Sequence, residues 1–375
     1  MRIAIDYTPA ALQGAGIGRY TRGLVDALLP LLEDEDAVTL LYPREDTRFA
    51  RGSWPDSVRI RRLPLPERYQ TILWHRLRLP LPVEWWAGEA DIFHAPNFLL
   101  PPVRRAKTLL TIHDLAFLVR PEYAWPDLRR FLEQAVPRSV ARADHILADS
   151  QASKRDAMRL FGLPAERVTV VGAGVEPRFR PMSPEETAGV RERYGLDWPF
   201  VFSISTLEPR KNFDGLVRAF ARARRAANLP HHLVIAGGKG WLYEDIFAAV
   251  EEEDAGDFVH FPGFVPDADL PALYNLADLF AFPSHYEGFG LPLLEALACG
   301  TPALATDVSS LPEIAGNAAY LIPADDDEAL TAGLIHLLTD ADARAELTGR
   351  GPGQAARFSW GAAAQRLLGV YRALA

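Results

Sequence analysis

Two carboxylates eight positions apart, Glu287 and Glu295, bracket the run Gly288-Phe289-Gly290-Leu291-Pro292. An ionised carboxylate only accepts hydrogen bonds, so such a pair suits the hydroxyl donors of ribose and hexose rings. Gly288 and Gly290 let main-chain amides approach a ligand with no Cβ in the way. Pro292 fits the first positions of a helix, whose free amides can face an anion. Upstream, Thr206-Leu207-Glu208-Pro209-Arg210-Lys211-Asn212 sets two adjacent cations just before another helical run. Lys211 is one of only four lysines against 36 arginines, so it departs from the chain's usual basic residue. Arg grips phosphate oxygens bidentately and Lys supplies a compact charge. Both blocks together could hold a phosphate beside a polyhydroxyl ring. An exposed basic loop would carry the same Arg-Lys pair.

The first half offers further polar groups. Gln13-Gly14-Ala15-Gly16-Ile17-Gly18-Arg19 opens a helical run and can bring amides to a phosphate. Its spacing is G-x-G-x-G, and Glu33–Asp36 precede the next strand, so the dinucleotide fingerprint is not matched. His113-Asp114 ends one apolar run, and His94-Ala95-Pro96-Asn97 ends another. A lone histidine is usually a structural hydrogen-bonding residue, and the place of His113 at a strand's carboxyl end raises a functional reading. Asp325-Asp326-Asp327-Glu328 contains a D-x-D string, which reads as a helix N-terminus favouring negative charge rather than as a metal site. The segment Arg68–Trp86 mixes Tyr69, Trp74, Trp85 and Trp86 with Arg68, Arg76 and Arg78. Such a mixture suits a membrane interface or a carbohydrate, and a buried helix flanked by prolines explains it equally well.

These residues need elements to position them. Short runs rich in Val, Ile, Leu and Phe recur near 2–8, 37–43, 57–63, 90–95, 106–112, 143–148 and 167–172. They recur again near 199–205, 231–236, 257–261, 276–282, 301–306 and 319–322. Helical patterns fall near 17–32, 70–79, 125–142, 151–161, 211–227, 241–253, 290–299 and 326–349. Strands alternating with helices read as parallel sheets covered on both faces. Thirteen strands exceed the usual ~10 of an open twisted sheet, so two sheets are expected. Gly172-Ala173-Gly174-Val175-Glu176-Pro177 is the expected hinge, dividing a domain of residues 1–176 from one of 177–357. The expectation is α/β, two doubly wound domains facing a central cleft. Ligands in such sheets bind beyond the carboxyl ends of the strands, where the residues above fall.

Composition bounds the rest. The 375 residues are 49% apolar and 24% charged, an ordinary globular balance that excludes disordered classes. Residues 1–180 carry 26 basic and 22 acidic side chains, and residues 181–375 carry 14 and 27. The formal net charge of −9 argues against nonspecific nucleic-acid binding. The single cysteine, Cys299, excludes an internal disulfide and a Cys-rich zinc site. With no long apolar run and no secretory pattern at the start, a cytoplasmic protein is expected, at most peripheral at the inner face of a membrane.

Glu287-x7-Glu295, with Gly-Phe-Gly-Leu after the first Glu, resembles the signature of the retaining glycosyltransferases of family 4, whose fold is called GT-B. Thr206–Asn212, Gly263-Phe264-Val265, and Pro302-Ala303 after the glutamate helix add to the likeness, which covers nearly the whole chain. The resemblance implies two Rossmann-like domains, the first on the acceptor side. It also implies a C-terminal helix near 358–375 that packs back on the first domain. It implies a metal-independent hexosyl transfer from a nucleotide-diphosphate sugar to a carbohydrate or lipid-linked acceptor, with no cofactor. Glu295 would bind the ribose and Glu287 the donor sugar. The amides of Gly288, Phe289, Gly290 and Leu291 would touch the sugar and distal phosphate. Arg210 and Lys211 would neutralise the diphosphate, Val265 would meet the base, and Gly16 would face the diphosphate. His113 would contact the donor sugar near the transfer centre, and Asn97 is a further candidate for acceptor or donor hydroxyls. Many relatives carry Arg where this chain has Thr206, so one cation is expected to have moved to Arg210 or the clamp to be weaker. The Glu-Pro-Arg-Lys-Asn loop looks like that of mannosyltransferase-type members, which makes GDP-mannose the expected donor. A nucleotide-sugar epimerase and a non-catalytic nucleotide-sugar-binding protein are the alternatives.

Overall fold

The computed structural model describes residues 1–45 and 54–375. The apolar runs become thirteen strands among these residues. The first seven are β1 (Arg2–Asp6), β2 (Ala37–Tyr42), β3 (Val58–Arg62), β4 (Ile92–Ala95), β5 (Lys107–Ile112), β6 (His145–Ala148) and β7 (Val168–Val170). The other six are β8 (Phe200–Ile204), β9 (His232–Ala236), β10 (Val259–Gly263), β11 (Leu279–Phe282), β12 (Ala303–Thr306) and β13 (Tyr320–Ile322). Every pairing between them is parallel. The central strands are buried along their full length, as four-residue β4, β11 and β12 show. Burial on both faces is why they read as unbroken apolar runs rather than alternating ones.

Two sheets form, in the orders β3-β2-β1-β4-β5-β6-β7 and β10-β9-β8-β11-β12-β13. Each reverses direction once, between β1 and β4 and between β8 and β11. At such a switch point the loops leaving the two neighbouring strands diverge to opposite faces and open a crevice at their carboxyl ends. That fixes in advance which loops can form a site. They are the loops after β1 and β4 in one sheet and after β8 and β11 in the other.

The chain divides into two compact units. One holds Met1–Val119, Pro126–Gly174 and Ser359–Ala375; the other holds Arg120–Trp125 and Val175–Phe358. In the first, the C-terminal helix Trp360–Leu374 packs on the helix Gly16–Leu28. Tyr371 Oη lies 2.8 Å from His94 Nδ1, and Arg366 Nε donates to the Val171 carbonyl at 2.9 Å. In the second, the helix Phe213–Ala227 buries Phe213, Leu216, Val217 and Phe220 against β8 and β9 side chains such as Val201 and Ile235.

The expected single helical run over 326–349 is two helices, Asp327–Thr339 and Ala341–Ala355. Asp340 breaks it because its carboxylate accepts from the Ala343 amide at 2.9 Å, a cap that competes with helix continuation. The proline-punctuated stretch after the hinge contains a helix that periodicity did not reveal, Pro184–Tyr194. It starts from a reciprocal capping box of Ser183 and Glu186.

Candidate active site

In the second unit, β8 delivers Thr206–Asn212 and β11 delivers Pro283–Gly290, so the two sequence blocks meet at the switch point. Pro209–Lys211 forms a single tight helical turn. Asn212, at φ 55°, then reverses the chain into the helix Phe213–Ala227. Alongside, Gly237 sits at φ 135°, where an added Cβ would fall 1.8 Å from the Ser205 carbonyl oxygen. The glycine lets the loop after β9 lie against the loop after β8, and the Leu207 amide donates to the Gly238 carbonyl at 2.9 Å.

Arg210 and Lys211 are not an exposed basic loop. Lys211 is buried, and its Nζ lies 2.6 Å from Glu287 Oε1 and 5.6 Å from the centre of the Phe282 ring. Arg210 donates to the Tyr286 carbonyl at 2.8 Å, to Glu208 Oε1 at 2.6 Å and to Glu287 Oε2 at 3.3 Å. Two cations and two carboxylates therefore interlock, all largely withdrawn from water. Burial opposes ionisation of Glu287, but Lys211 and then Arg210 outweigh it and hold the carboxyl below its ordinary range. Sequence reasoning placed Glu287 against sugar hydroxyls and the cations against phosphate. The structure joins them to one another.

The turn carrying Glu287 is clamped by residues the sequence reading passed over. The Glu287 amide donates to Ser309 Oγ at 2.7 Å, while Ser310 Oγ donates to the carbonyls of Glu287 and Phe289 at 3.0 and 2.8 Å. Phe289 also packs edge-on against Phe358. Gly290 has φ 102°, and an added Cβ would lie 2.8 Å from Leu311 Cδ2. Gly290→Ala is accordingly expected to cost about 1–3 kcal/mol, read as a lower midpoint in urea unfolding. The helix Leu291–Ala298 starts there, and the amides of its first turn have no helical acceptor behind them.

Glu295 is 2% exposed and accepts from Tyr274 Oη at 3.0 Å. That bond orients the carboxylate. Tyr274→Phe removes it while keeping the ring and is expected to cost about 1–3 kcal/mol, read as a lower midpoint in urea unfolding. Val265 lies beyond β10 and is buried, next to the exposed Phe264.

Asp326 caps the helix Asp327–Thr339 by accepting from the Ala329 amide at 2.8 Å. Asp325 has a different role, facing His285 Nδ1 at 2.5 Å and Arg120 at 3.3 Å. Among the described residues, no three His, Cys, Asp or Glu side chains gather in a way that could hold a metal ion.

In the first unit, Gly16 is the first residue of the helix Gly16–Leu28 and is exposed, with open space where a Cβ would stand. Asn97 follows β4 and is partly exposed. His113 does not present a free ring nitrogen. Nε2 lies 2.7 Å from the Pro96 carbonyl and Nδ1 lies 2.7 Å from Asp149 Oδ2. A carbonyl only accepts, so Nε2 carries a proton, and a carboxylate opposite Nδ1 favours a second one. Burial pulls the imidazole's pKa down, yet Asp149 and the Pro96 carbonyl raise it above the ordinary value. To reach a sugar hydroxyl through a ring nitrogen, His113 would exchange one of these bonds for it. The Arg68–Trp86 segment is not a buried helix either, since Trp85 is 64% and Leu77 61% exposed.

The two parallel sheets, one carrying a buried cation–carboxylate cluster at its switch point, define a two-domain doubly wound α/β fold. Known proteins agree with that reading. The model of the family Glycosyl transferases group 1 matches residues 191–353, and that of Glycosyltransferase Family 4 matches residues 14–179. The O-antigen chain mannosyltransferase B of Escherichia coli is 33% identical over the full length of both chains. A D-inositol 3-phosphate glycosyltransferase of Thermobispora bispora is 32% identical over 82% of this chain and 71% of its own. Among solved structures, the sucrose-phosphate synthase of Thermosynechococcus elongatus superposes with a TM-score of 0.78 at 23% identity, covering 100% of this chain and 99% of that one. HepE of Anabaena, solved with UDP and glucose, gives 0.73 at 20% identity with 99% coverage of both. The architecture is GT-B. The chain belongs to glycosyltransferase family 4.

Proposed function

We propose that this glycosyltransferase moves mannose from GDP-mannose to a hydroxyl of a carbohydrate or lipid-linked acceptor, retaining anomeric configuration and using no metal ion. The observation that carries the reading is the buried Lys211–Glu287–Arg210 cluster at the carboxyl ends of β8 and β11. A departing diphosphate needs positive charge that is already in place, and charge-assisted hydrogen bonds are worth about 1.5–3 kcal/mol each. Lys211, Arg210 and the amides of Gly288, Phe289, Gly290 and Leu291 would supply it, with the distal phosphate near the start of the helix Leu291–Ala298. Glu295 would take the ribose hydroxyls and Val265 the base. Glu287, once phosphate competes for its cations, would be released to the mannose hydroxyls. The C1–O bond to phosphate breaks while the acceptor oxygen bonds C1 from the same face, and the acceptor's proton passes to the departing phosphate oxygen. Mannose is supported by the full-length likeness to a mannosyltransferase.

The acceptor side would meet a membrane surface through the exposed Trp85, Leu77 and neighbouring arginines, as a peripheral contact at the inner leaflet. No helix among the described residues is long and apolar enough to cross a bilayer.

The deciding experiment offers GDP, UDP and ADP and their sugars to the purified chain, with and without a chelator. Stabilisation by GDP and GDP-mannose, with turnover that survives chelation and an α-configured product, is expected. Preference for another base, an inverted product or a trapped glycosyl–Glu287 adduct would overturn the corresponding part. Isomerised donor would point to an epimerase, and binding without turnover to a sensor.

A further inference from the structure

The six residues Arg120–Trp125 lie in the chain between two segments of the first unit, yet they group with the second. They leave the short helix Ala116–Val119, which itself follows His113. Tyr123 stacks on the His285 ring at 4.7 Å between centres and 11° between planes. Its carbonyl accepts from Trp241 Nε1 at 2.9 Å, and its hydroxyl accepts from Arg120 at 2.7 Å. Arg120 reaches Asp325 at 3.3 Å, and Asp325 in turn faces His285 Nδ1. His285 is two residues before Glu287, and its amide donates to the Arg210 carbonyl at 2.9 Å. One residue further, the Tyr286 carbonyl receives the Arg210 guanidinium. The strap thus touches the turn that holds both halves of the cation–carboxylate cluster.

We propose that the strap is a positioning element of the transfer site, in which Tyr123, braced by Arg120 through Asp325, fixes the His285–Glu287 turn against Arg210. The inference rests on the reading of that cluster as the phosphate clamp. Its contribution falls on the step in which charge builds on the leaving phosphate. Cations displaced by a fraction of an ångström still bind a diphosphate but stabilise its departure less well. The strap acts through the turn and touches no substrate, so Tyr123 and Arg120 are positioning residues.

Two measurements test it on the full chain. Without added nucleotide, Tyr123→Ala is expected to raise amide hydrogen exchange over residues 283–290, while Tyr123→Phe, which keeps the stacked ring but gives up the Arg120 hydrogen bond, raises it less. That readout does not depend on which sugar nucleotide is the donor. With GDP and GDP-mannose as probes, Tyr123→Ala is expected to lower kcat about tenfold or more, GDP affinity changing less than about threefold and Tyr123→Phe, which keeps the ring stacked on His285, restoring most of the rate. Arg120→Ala and Asp325→Asn should be non-additive, the double variant no worse than the poorer single one. Unchanged exchange at 283–290, additive losses, or a fall in kcat matched by an equal fall in affinity and melting temperature would overturn the proposal. Failure of the wild type to bind GDP would sink the donor reading instead and leave the exchange measurement to decide on the strap.

Discussion

Glu287→Gln is expected to bind GDP about tenfold more tightly than the wild type while losing about two to three orders of magnitude in turnover. The signs follow from the cluster. The Glu287 carboxylate neutralises Lys211 at 2.6 Å and shares Arg210 at 3.3 Å, so on the proposed reading a diphosphate would compete with it for both cations. The isosteric amide removes the competitor and leaves Lys211 buried without its counter-charge. Breaking one side of a buried pair costs about 3–5 kcal/mol, so the free variant unfolds at lower urea, and GDP should recover part of that loss. On the proposed reading turnover falls because the amide would not accept from sugar hydroxyls as a charged group does. The acid limb should change as well. Because its folded pKa lies below the ordinary 4.5, Glu287 stabilises the fold fully above that value and progressively less as pH falls through the folded pKa. The variant should lack that limb in a pH series of urea midpoints. Calorimetry showing weaker GDP binding in Glu287→Gln would mean that these cations do not face the phosphates.

How much of this was visible in the sequence depends on whether a residue acts through its neighbours in the chain or through distant ones. The central strands were legible because parallel strands buried on both faces must be apolar throughout, and that leaves contiguous runs. The site blocks were legible for a related reason. A switch point draws its loops from strand ends, and Arg210-Lys211 and Glu287–Leu291 stand directly after β8 and β11. What could not be read was partnership. Nothing local to Glu287 announces Lys211, which is 76 residues away in the chain. Ser309 and Ser310 look like an ordinary turn until their hydroxyls are seen holding the Glu287 and Phe289 backbone. His113 is a second case of hidden partnership. Its place at the end of β5 was legible, whereas Asp149 and Pro96, which meet its two ring nitrogens, come from other strand ends. Helix Pro184–Tyr194 escaped because its face is mostly polar, although Ser183-x-x-Glu186 was a legible start signal.

Lys211→Ala should reduce GDP affinity about ten- to a hundredfold, and pairing it with Glu287→Gln should separate binding from stability. Alone, Lys211→Ala leaves Glu287 buried with only Arg210 nearby. Arg210 is also committed to Glu208 and the Tyr286 carbonyl, so it compensates incompletely. Stability should then fall by an amount comparable to Glu287→Gln, about 3–5 kcal/mol. The Glu287 carboxyl should titrate upward because its first electrostatic partner is gone, so in this variant GDP binding improves as pH is lowered and the carboxylate neutralises. The double variant removes both charges together. Replacing a buried pair outright is far less costly than halving it, so its urea midpoint should lie nearer the wild type than either single variant does. Its GDP affinity should nevertheless stay low, because the cation is missing whatever the carboxylate does. A structural ion pair with no part in binding would give the same stability cycle with unchanged GDP affinity in all three variants. The two readouts, urea unfolding and calorimetric titration, therefore divide a phosphate clamp from a mere brace.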